Sequence, residues 1–300
     1  MTRLTAPGKP RRMSPPEPVP GLSAVADRYD AVLCDVWGVI HNGRESFPDA
    51  CAALARFGRD RGPVVLISNA PRPGDAVLPQ LRELNVPADA FAALVTSGDA
   101  TRRELARRAP GPVWAVGPER DAPLYAGLDL RFAGPAEAAF ICCTGLVDDE
   151  TETAEDYREV LAAAAARGLT FLCANPDRVV QRGDRLIPCA GALADLYEEL
   201  GGQVVMAGKP FAPIYDLAYA EAERLAGRPL DRARILAIGD GAPTDLKGAD
   251  NQGLDCLFVA DGIHAAEVCG PDGQPDPDRA AAFLASAGTR ARYISGPLRP

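Results

Sequence analysis

One stretch near the start of the chain constrains its fold most, the run Ala31-Val-Leu-Cys-Asp-Val-Trp-Gly-Val-Ile-His-Asn-Gly43. Residues 31–34 are apolar without polar alternation, which is typical of a strand buried on both faces of a parallel sheet. Such a strand delivers Asp35 to its carboxyl end, and ligand sites of open α/β sheets lie just beyond those ends. Gly38 and Asn42-Gly43 follow at once, so two interpretations stay open: a chemically active aspartate, or a turn residue that ends a strand.

Length and composition limit the class of protein. The chain has 300 residues, 47% of them hydrophobic, enough for a large core in two domains or in one domain with an insertion. Its net charge of −9 argues against a nucleic-acid partner, because a phosphate backbone is bound by clustered Lys and Arg.

The eight cysteines form no C-x-x-C pair and lie mostly in apolar runs, which indicates buried thiols and a cytoplasmic protein. Since no signal-peptide pattern or membrane-spanning run occurs, no membrane partner is expected.

The order of predicted strands and helices indicates a doubly wound α/β fold. Residues 1–21 contain six prolines and few apolar residues, and we expect a disordered tail there. The chain then alternates β-α-β-α-β as far as residue 97. Its middle part repeats this pattern on a smaller scale, with enough strands and helices for a small α/β domain of its own.

Four predicted strands end in polar residues, namely Asp35, Ser68-Asn69, Lys209, and Asp240 with Asp245. A parallel sheet would bring all of them to one edge. Carboxylates that share a crevice repel each other unless a cation shares it too. Mg²⁺ suits such a site because it binds a few carboxylates together with water and phosphate oxygens.

The polar residues at this sheet edge indicate a site for reactions of phosphoryl groups. Asp35 and Asp240 are expected to hold the ion, with Lys209 nearby. An aspartate in that position can attack phosphorus covalently. Ser68 and the backbone amides around Trp37 and Asn69 can donate hydrogen bonds to the phosphoryl oxygens.

These motifs resemble the haloacid dehalogenase (HAD) superfamily, class IIA, which includes NagD-like and p-nitrophenyl-phosphatase-like hydrolases. The resemblance runs from about Tyr29 to about Gly262 and rests on four motifs: Asp35-Val-Trp-Gly-Val39, Ser68-Asn69, Gly208-Lys209-Pro210 and Gly239-Asp240-(x4)-Asp245. It implies a HAD-like Rossmannoid core over 22–97 and 190–300 with an inserted α/β cap domain of the C2 type over 98–189. Caps of this class close over the core and select substrates, and they often pair, which implies a homodimer.

The resemblance also implies a role for each motif residue. Asp35 would be the nucleophile, Ser68 would bind the phosphoryl group and Lys209 would steady its charge. The implied Mg²⁺ ligands are Asp35, the backbone carbonyl of Trp37, and Asp240, with Asp245 binding the ion directly or lying beside it. The implied substrate contacts are Trp37, Gly38 and Asn69 in the core, and Asn175 and Asp177 in the cap.

Trp37 departs from the family pattern. Members usually carry a second aspartate there, which protonates the leaving group and later activates water. An indole cannot transfer protons at neutral pH, and such help is worth about 10²–10⁴ in rate. We therefore expect slow or specialised hydrolysis of a small phosphorylated metabolite.

Two alternatives to hydrolysis stay open: a ligand-binding or regulatory protein on the same scaffold, and phosphoryl transfer to an acceptor other than water. His41, six residues after Asp35, has a pKa suited to replace the missing acid. The simpler interpretation is a loop histidine that only forms hydrogen bonds.

Overall fold

The structure is a computed structural model that describes residues 15–182 and 185–300. Within these ranges the strands are β1 (Glu17–Pro18), β2 (Ala31–Cys34), β3 (Val64–Ser68), β4 (Ala93–Thr96), β5 (Val113–Val116), β6 (Phe140–Cys143), β7 (Thr170–Cys173), β8 (Val179–Arg182), β9 (Arg185–Pro188), β10 (Gln203–Met206), β11 (Ile235–Gly239), β12 (Asp255–Val259) and β13 (Tyr293–Ser295). The α-helices in the same ranges are α1 (Pro48–Asp60), α2 (Gly74–Glu83), α3 (Ser97–Arg108), α4 (Arg158–Ala166), α5 (Ala190–Glu199), α6 (Ala212–Ala226), α7 (Lys247–Gln252), α8 (Ala265–Val268) and α9 (Pro277–Ser286).

A parallel sheet in the order β1-β13-β12-β11-β2-β3-β4 forms the larger domain. β2 lies near its centre, between β11 and β3. Val32 and Cys34 pack into the apolar cluster on the side of α1, whereas Ala31 and Leu33 pack into the opposite cluster with α6. The prediction of a strand buried on both faces is therefore confirmed, and so is the doubly wound α/β fold.

A second parallel sheet, in the order β10-β7-β6-β5, forms the inserted domain. β10 pairs along its whole length with β7, and Leu193 and Tyr197 of α5 pack into the apolar cluster of this sheet. The predicted boundary at residue 189 is therefore wrong, because α5 and β10 belong to the inserted domain. A buried apolar strand has the same sequence pattern in either of two parallel sheets, so periodicity could not assign β10 to one of them.

The start of the described chain is also more ordered than predicted. Residues 1–14 lie outside the described residues. β1 pairs in parallel with β13, Glu17 with Tyr293 and Pro18 with Ile294, so the expected disordered tail is wrong for this part of 1–21. β1 is an edge strand, where proline is tolerated, and Val19 and Leu22 anchor the segment in the core.

Two further sequence expectations concern cysteines and membranes. All eight cysteines are buried with free thiols, which confirms their predicted burial. In the described ranges, no helix has the length and apolar character needed to span a bilayer.

Candidate active site

Strands of the larger sheet bring three of the predicted groups to one edge. Asp35 follows β2, Ser68 ends β3 and Asp240 follows β11, and all three side chains are buried. Lys209 reaches the same place from the other sheet, because it follows β10. The expectation that all four groups stand at strand ends of one sheet is therefore wrong for Lys209, although its convergence with the others is observed.

Lys209 joins two carboxylates. Its Nζ atom donates a hydrogen bond to Oδ1 of Asp35 at 2.5 Å and to Oδ1 of Asp245 at 2.7 Å. Asp245 lies in the π-helical turn Ala242–Leu246, where its Oδ2 atom accepts a hydrogen bond from the amide of Gly241 at 3.0 Å. Burial alone would lower the pKa of Lys209, but the carboxylates of Asp245 and Asp35 raise it well above its ordinary value. The lysine is therefore a fixed positive charge.

Three buried carboxylates surround the place where a cation would sit. Oxygen atoms of Asp35, Asp240 and Asp245 lie within 4.8 Å of one another, and no other such cluster of three occurs among the described residues. Burial, and then the charge of Asp245, raise the pKa of Asp35 well above its ordinary value and that of Asp240 to about 7. One ammonium does not neutralise three carboxylates, so a hard divalent ion such as Mg²⁺ fits this set of oxygen donors.

Two glycines let the chain close around Asp240. A Cβ atom at either Gly38 or Gly262 would lie 2.2 Å from Oδ2 of Asp240, and Gly38 has a φ of +83°. The amide of Ile263 donates to the same oxygen at 2.9 Å. Gly262 and Ile263 were not predicted from the sequence, although a single residue separates Asp261-Gly262 from the end of β12, and this position at the sheet edge is the signal that could have revealed them.

The substrate contact expected of Gly38 stays a prediction. Its amide donates to the carbonyl oxygen of His41 at 2.8 Å, so this amide is already satisfied within its own loop. Gly38 also makes room for the carboxylate of Asp240.

Asn69 connects the two domains. Its Oδ1 atom accepts a hydrogen bond from the amide of Lys209 at 2.7 Å. Its Nδ2 atom donates to the carbonyl oxygen of Lys209 at 3.2 Å and to Oδ1 of Asp177 at 2.8 Å. Ser68, the preceding residue, accepts a hydrogen bond at Oγ from the amide of Ala70 at 3.2 Å, so its own proton can be donated to a ligand.

The predicted cap residues Asn175 and Asp177 follow β7 and lie in one turn. Oδ1 of Asn175 accepts from the amide of Asp177 at 3.1 Å, so the asparagine shapes the turn while the aspartate faces Asn69. Gly191 is needed beneath this turn, because a Cβ atom there would lie 2.3 Å from the carbonyl oxygen of Pro176. Burial raises the pKa of Asp177, with the charge of Lys209 opposing this effect.

Trp37 is packed within the loop that follows Asp35. A Cβ atom at Gly43 would lie 2.6 Å from the six-membered ring of its indole, and the rings of Trp37 and His41 meet edge to face with centroids 5.1 Å apart. His41 is buried, accepts a hydrogen bond at Nδ1 from the amide of Gly43 at 3.0 Å, and has its pKa lowered to about 4 by burial. The interpretation of His41 as a hydrogen-bonded loop histidine fits this arrangement.

Comparison with known proteins identifies the class to which this fold and site belong. A family model for haloacid dehalogenase-like hydrolases matches residues 32–131, and one described as HAD-hydrolase-like matches residues 206–286. A crystal structure of a haloacid dehalogenase-like hydrolase from Brucella suis 1330 is 45% identical, with a TM-score of 0.83, and the match covers 94% of this chain and 99% of that one. The chain therefore belongs to the haloacid dehalogenase-like hydrolases.

Two relatives that are named for an activity agree with a more specific placement. A 5′-nucleotidase of Bacillus subtilis is 28% identical over 242 residues, which are 80% of this chain and 90% of the relative. A glycerol phosphate phosphatase from Mycobacterium tuberculosis, crystallised with magnesium, is 26% identical with a TM-score of 0.63 and covers 91% of this chain and 76% of its own. Within the superfamily the chain is a class IIA member, of the NagD-like and p-nitrophenyl-phosphatase-like phosphatases.

Proposed function

We propose that this protein is a Mg²⁺-dependent phosphatase that hydrolyses a small phosphorylated metabolite through an aspartyl-phosphate on Asp35. The observation that carries the proposal is the buried constellation at the sheet edge. Asp35 accepts a hydrogen bond from Lys209 and lies within 4.8 Å of the carboxylate oxygens of Asp240 and Asp245. This set combines a nucleophile, a fixed positive charge and donors for a hard cation.

The ligands proposed for Mg²⁺ are Asp35, Asp240, Asp245 and the backbone carbonyl of Trp37. When bound, the ion would offset the negative charge of the carboxylates and of the phosphoryl group. Lys209 adds a positive charge that the protein itself holds in place. The hydroxyl of Ser68 and amides near Asn69 would donate hydrogen bonds to phosphoryl oxygens.

Two displacements at phosphorus complete the reaction. A carboxylate oxygen of Asp35 bonds to phosphorus while the bond to the leaving oxygen breaks, and the electron pair stays with that oxygen. Water then bonds to the same phosphorus atom, the bond to Asp35 breaks, and inorganic phosphate and the free carboxylate are released. The phosphoryl group is thus held covalently between the two steps.

The substrate class and setting are proposed on several grounds. The relatives are named for hydrolysis of a nucleotide and of glycerol phosphate, which supports a small phosphorylated metabolite. Eight free thiols suit the reducing cytoplasm. Pairing of two copies through the inserted domain, and the lack of nucleic-acid and membrane partners, stay predictions.

Phosphate release from a panel of phosphomonoesters tests this proposal, with Mg²⁺ present or removed by EDTA. We expect Mg²⁺-dependent release by the wild type, none by Asp35→Asn, and a phosphorylated protein of higher intact mass after rapid acid quenching. Asp129→Asn, which changes an exposed carboxylate of the inserted domain, serves as a control with unchanged activity. Equal phosphate release by the wild type and Asp35→Asn would refute the mechanism.

The packing of Trp37 favours a second candidate function, a binding protein on a phosphatase scaffold. In that case phosphorylated ligands would raise the melting temperature in the presence of Mg²⁺ without being consumed. Trp37→Asp separates the two functions. A large gain in hydrolysis would show that the remaining machinery is intact, whereas no gain would favour the binding function.

A further inference from the structure

We propose that Asp177 of the inserted domain is the general acid and base of the reaction, in place of a carboxyl group at position 37. The inference rests on the phosphatase function proposed above and assigns the proton transfers that it needs. Asp177 is joined to the site by Asn69, which donates to its Oδ1 atom at 2.8 Å and also bonds to both backbone groups of Lys209. Its carboxylate is therefore held beside the lysine that contacts Asp35.

Apart from the proposed metal ligands Asp240 and Asp245, three side chains near Asp35 could be considered as the acid, and the structure argues against each. The indole of Trp37 has no titratable proton at neutral pH, and it packs against Gly43 and His41. His41 is buried and its Nδ1 atom is engaged by the amide of Gly43. Lys209 is fixed in its charged form between Asp35 and Asp245.

The position of Asp177 suits a leaving group. The larger domain surrounds the phosphoryl group on its own side with Asp35, Ser68 and the proposed metal ligands. The rest of a substrate must therefore extend toward the inserted domain, where Asp177 stands at the carboxyl end of β7. One of its oxygens is fixed by Asn69, and the other is the atom that we assign to proton transfer.

The electrostatic surroundings support a carboxyl that exchanges protons. Burial raises the pKa of Asp177, and among the charged groups that face it Lys209 opposes this effect whereas Asp245 adds to it. The next residue, Arg178, is paired with Asp195 at 2.5 Å. A carboxyl with a raised pKa is a better acid–base catalyst near neutral pH than one with an ordinary value.

Asp177 can supply the proton needed in the first displacement and regain one in the second. As the bond between phosphorus and the leaving oxygen breaks, that oxygen takes the proton of the Asp177 carboxyl and departs as an alcohol. The resulting carboxylate takes a proton from the water molecule that attacks the aspartyl-phosphate. Asp177 ends the cycle protonated, and Asp35 ends it as a carboxylate.

The dependence of rate on the leaving group tests this assignment. Alkyl phosphates need a proton on the departing oxygen, whereas p-nitrophenolate departs without one. For Asp177→Asn we expect kcat/KM with an alkyl phosphate such as glycerol phosphate to fall by about 10²–10⁴. With p-nitrophenyl phosphate, kcat/KM should change less than about tenfold, while kcat falls and phosphorylated Asp35 accumulates because water is no longer activated.

Two controls separate this role from a merely structural one. Asp177→Glu keeps an acid and should restore part of the alkyl phosphate activity, and the basic limb of the wild-type pH profile for that substrate should disappear in Asp177→Asn. Asp129→Asn should match the wild type on both substrates. A loss of kcat/KM that is equal for both leaving groups, or no loss at all, would overturn the assignment but leave the phosphatase function standing. A wild type that neither releases phosphate nor becomes phosphorylated would overturn both.

Discussion

Because three buried carboxylates lie close together, we predict that removing the negative charge of one of them raises the free energy of unfolding of the metal-free protein. Asp240→Asn keeps the shape of the side chain, and an amide oxygen can still accept the hydrogen bond from Ile263. Burial raises the pKa of Asp240 from its ordinary 3.8 to about 7. At about 1.4 kcal/mol for each pH unit, the ionised carboxylate reduces the free energy of unfolding by about 4 kcal/mol above pH 7.

The sign of the effect follows from proton uptake. Below pH 3.8 the carboxyl is protonated in both the folded and the unfolded chain, so Asp240→Asn should match the wild type. Between 3.8 and about 7 the unfolded chain releases a proton that the folded chain retains, and the wild type loses stability as the pH rises. The advantage of the variant should therefore grow over this interval and stay constant above it.

Urea unfolding in EDTA at pH 5 and pH 8 measures this difference in the free energy of unfolding, and Mg²⁺ should reduce it at pH 8. An ion at about 100 times its Kd stabilises the wild type by about 2.7 kcal/mol. The variant lacks one of the proposed ligands and should gain much less. Asp129→Asn, an exposed change of the same kind, should leave both measurements unaltered. An Asp240→Asn protein that is less stable than the wild type in EDTA at pH 8 would refute this account of the site.

Three more predictions concern groups around the same cluster. Lys209→Met leaves Asp35 and Asp245 buried without their shared partner, so urea unfolding in EDTA at pH 8 should show a loss of about 3–5 kcal/mol. Gly262→Ala places a methyl group against Asp240, and calorimetric titration should show at least a tenfold weaker Mg²⁺ affinity, whereas Gly134→Ala, with open space around it, should bind normally. Because the pKa of His41 is lowered from 6.5 to about 4, the unfolded chain binds a proton over this interval that the folded chain excludes. The wild type should therefore lose about 3 kcal/mol relative to His41→Gln as the pH falls from 6.5 to 4, measured by urea unfolding at each pH.

Local sequence patterns predicted the core of the larger domain because each central strand is a continuous apolar run. The strands Ala31–Cys34 and Ile235–Gly239 are each followed directly by an aspartate, and strand polarity alone places Asp35 and Asp240 together at the carboxyl edge. The same patterns could not assign Gln203–Met206 to its sheet, since strand pairing is decided by long-range packing. They also missed the order at Glu17–Pro18, because the partner of that strand lies at the other end of the chain.

Side-chain contacts between the two domains were even harder to predict from the sequence. Asn175 and Asp177 were predicted to face the site. Nothing in their motif showed that Asp177 would accept a hydrogen bond from Asn69, or that Asn175 would instead accept one from the amide of Asp177 within its own turn. Likewise, Gly38 was expected to contact substrate. Its positive φ and its proximity to Asp240 became evident only from the folded loop.

The two sheets divide the proposed chemistry between them. The larger sheet carries the nucleophile Asp35 and the ligand Asp240, whereas Lys209 and Asp177 both follow strands of the inserted domain and meet at Asn69. With tryptophan at position 37, the larger domain lacks its own acid beside the nucleophile. Proton transfer then depends on the hydrogen bond between Asn69 of the larger domain and Asp177 of the inserted one. An aspartyl-phosphate formed with a good leaving group should therefore persist whenever that hydrogen bond is broken.

Asn69→Ala removes this hydrogen bond without changing the nucleophile or the proposed metal ligands. It should therefore lengthen the lifetime of phosphorylated Asp35 in a chase with unlabelled substrate, and an unchanged lifetime would contradict the division of labour argued here.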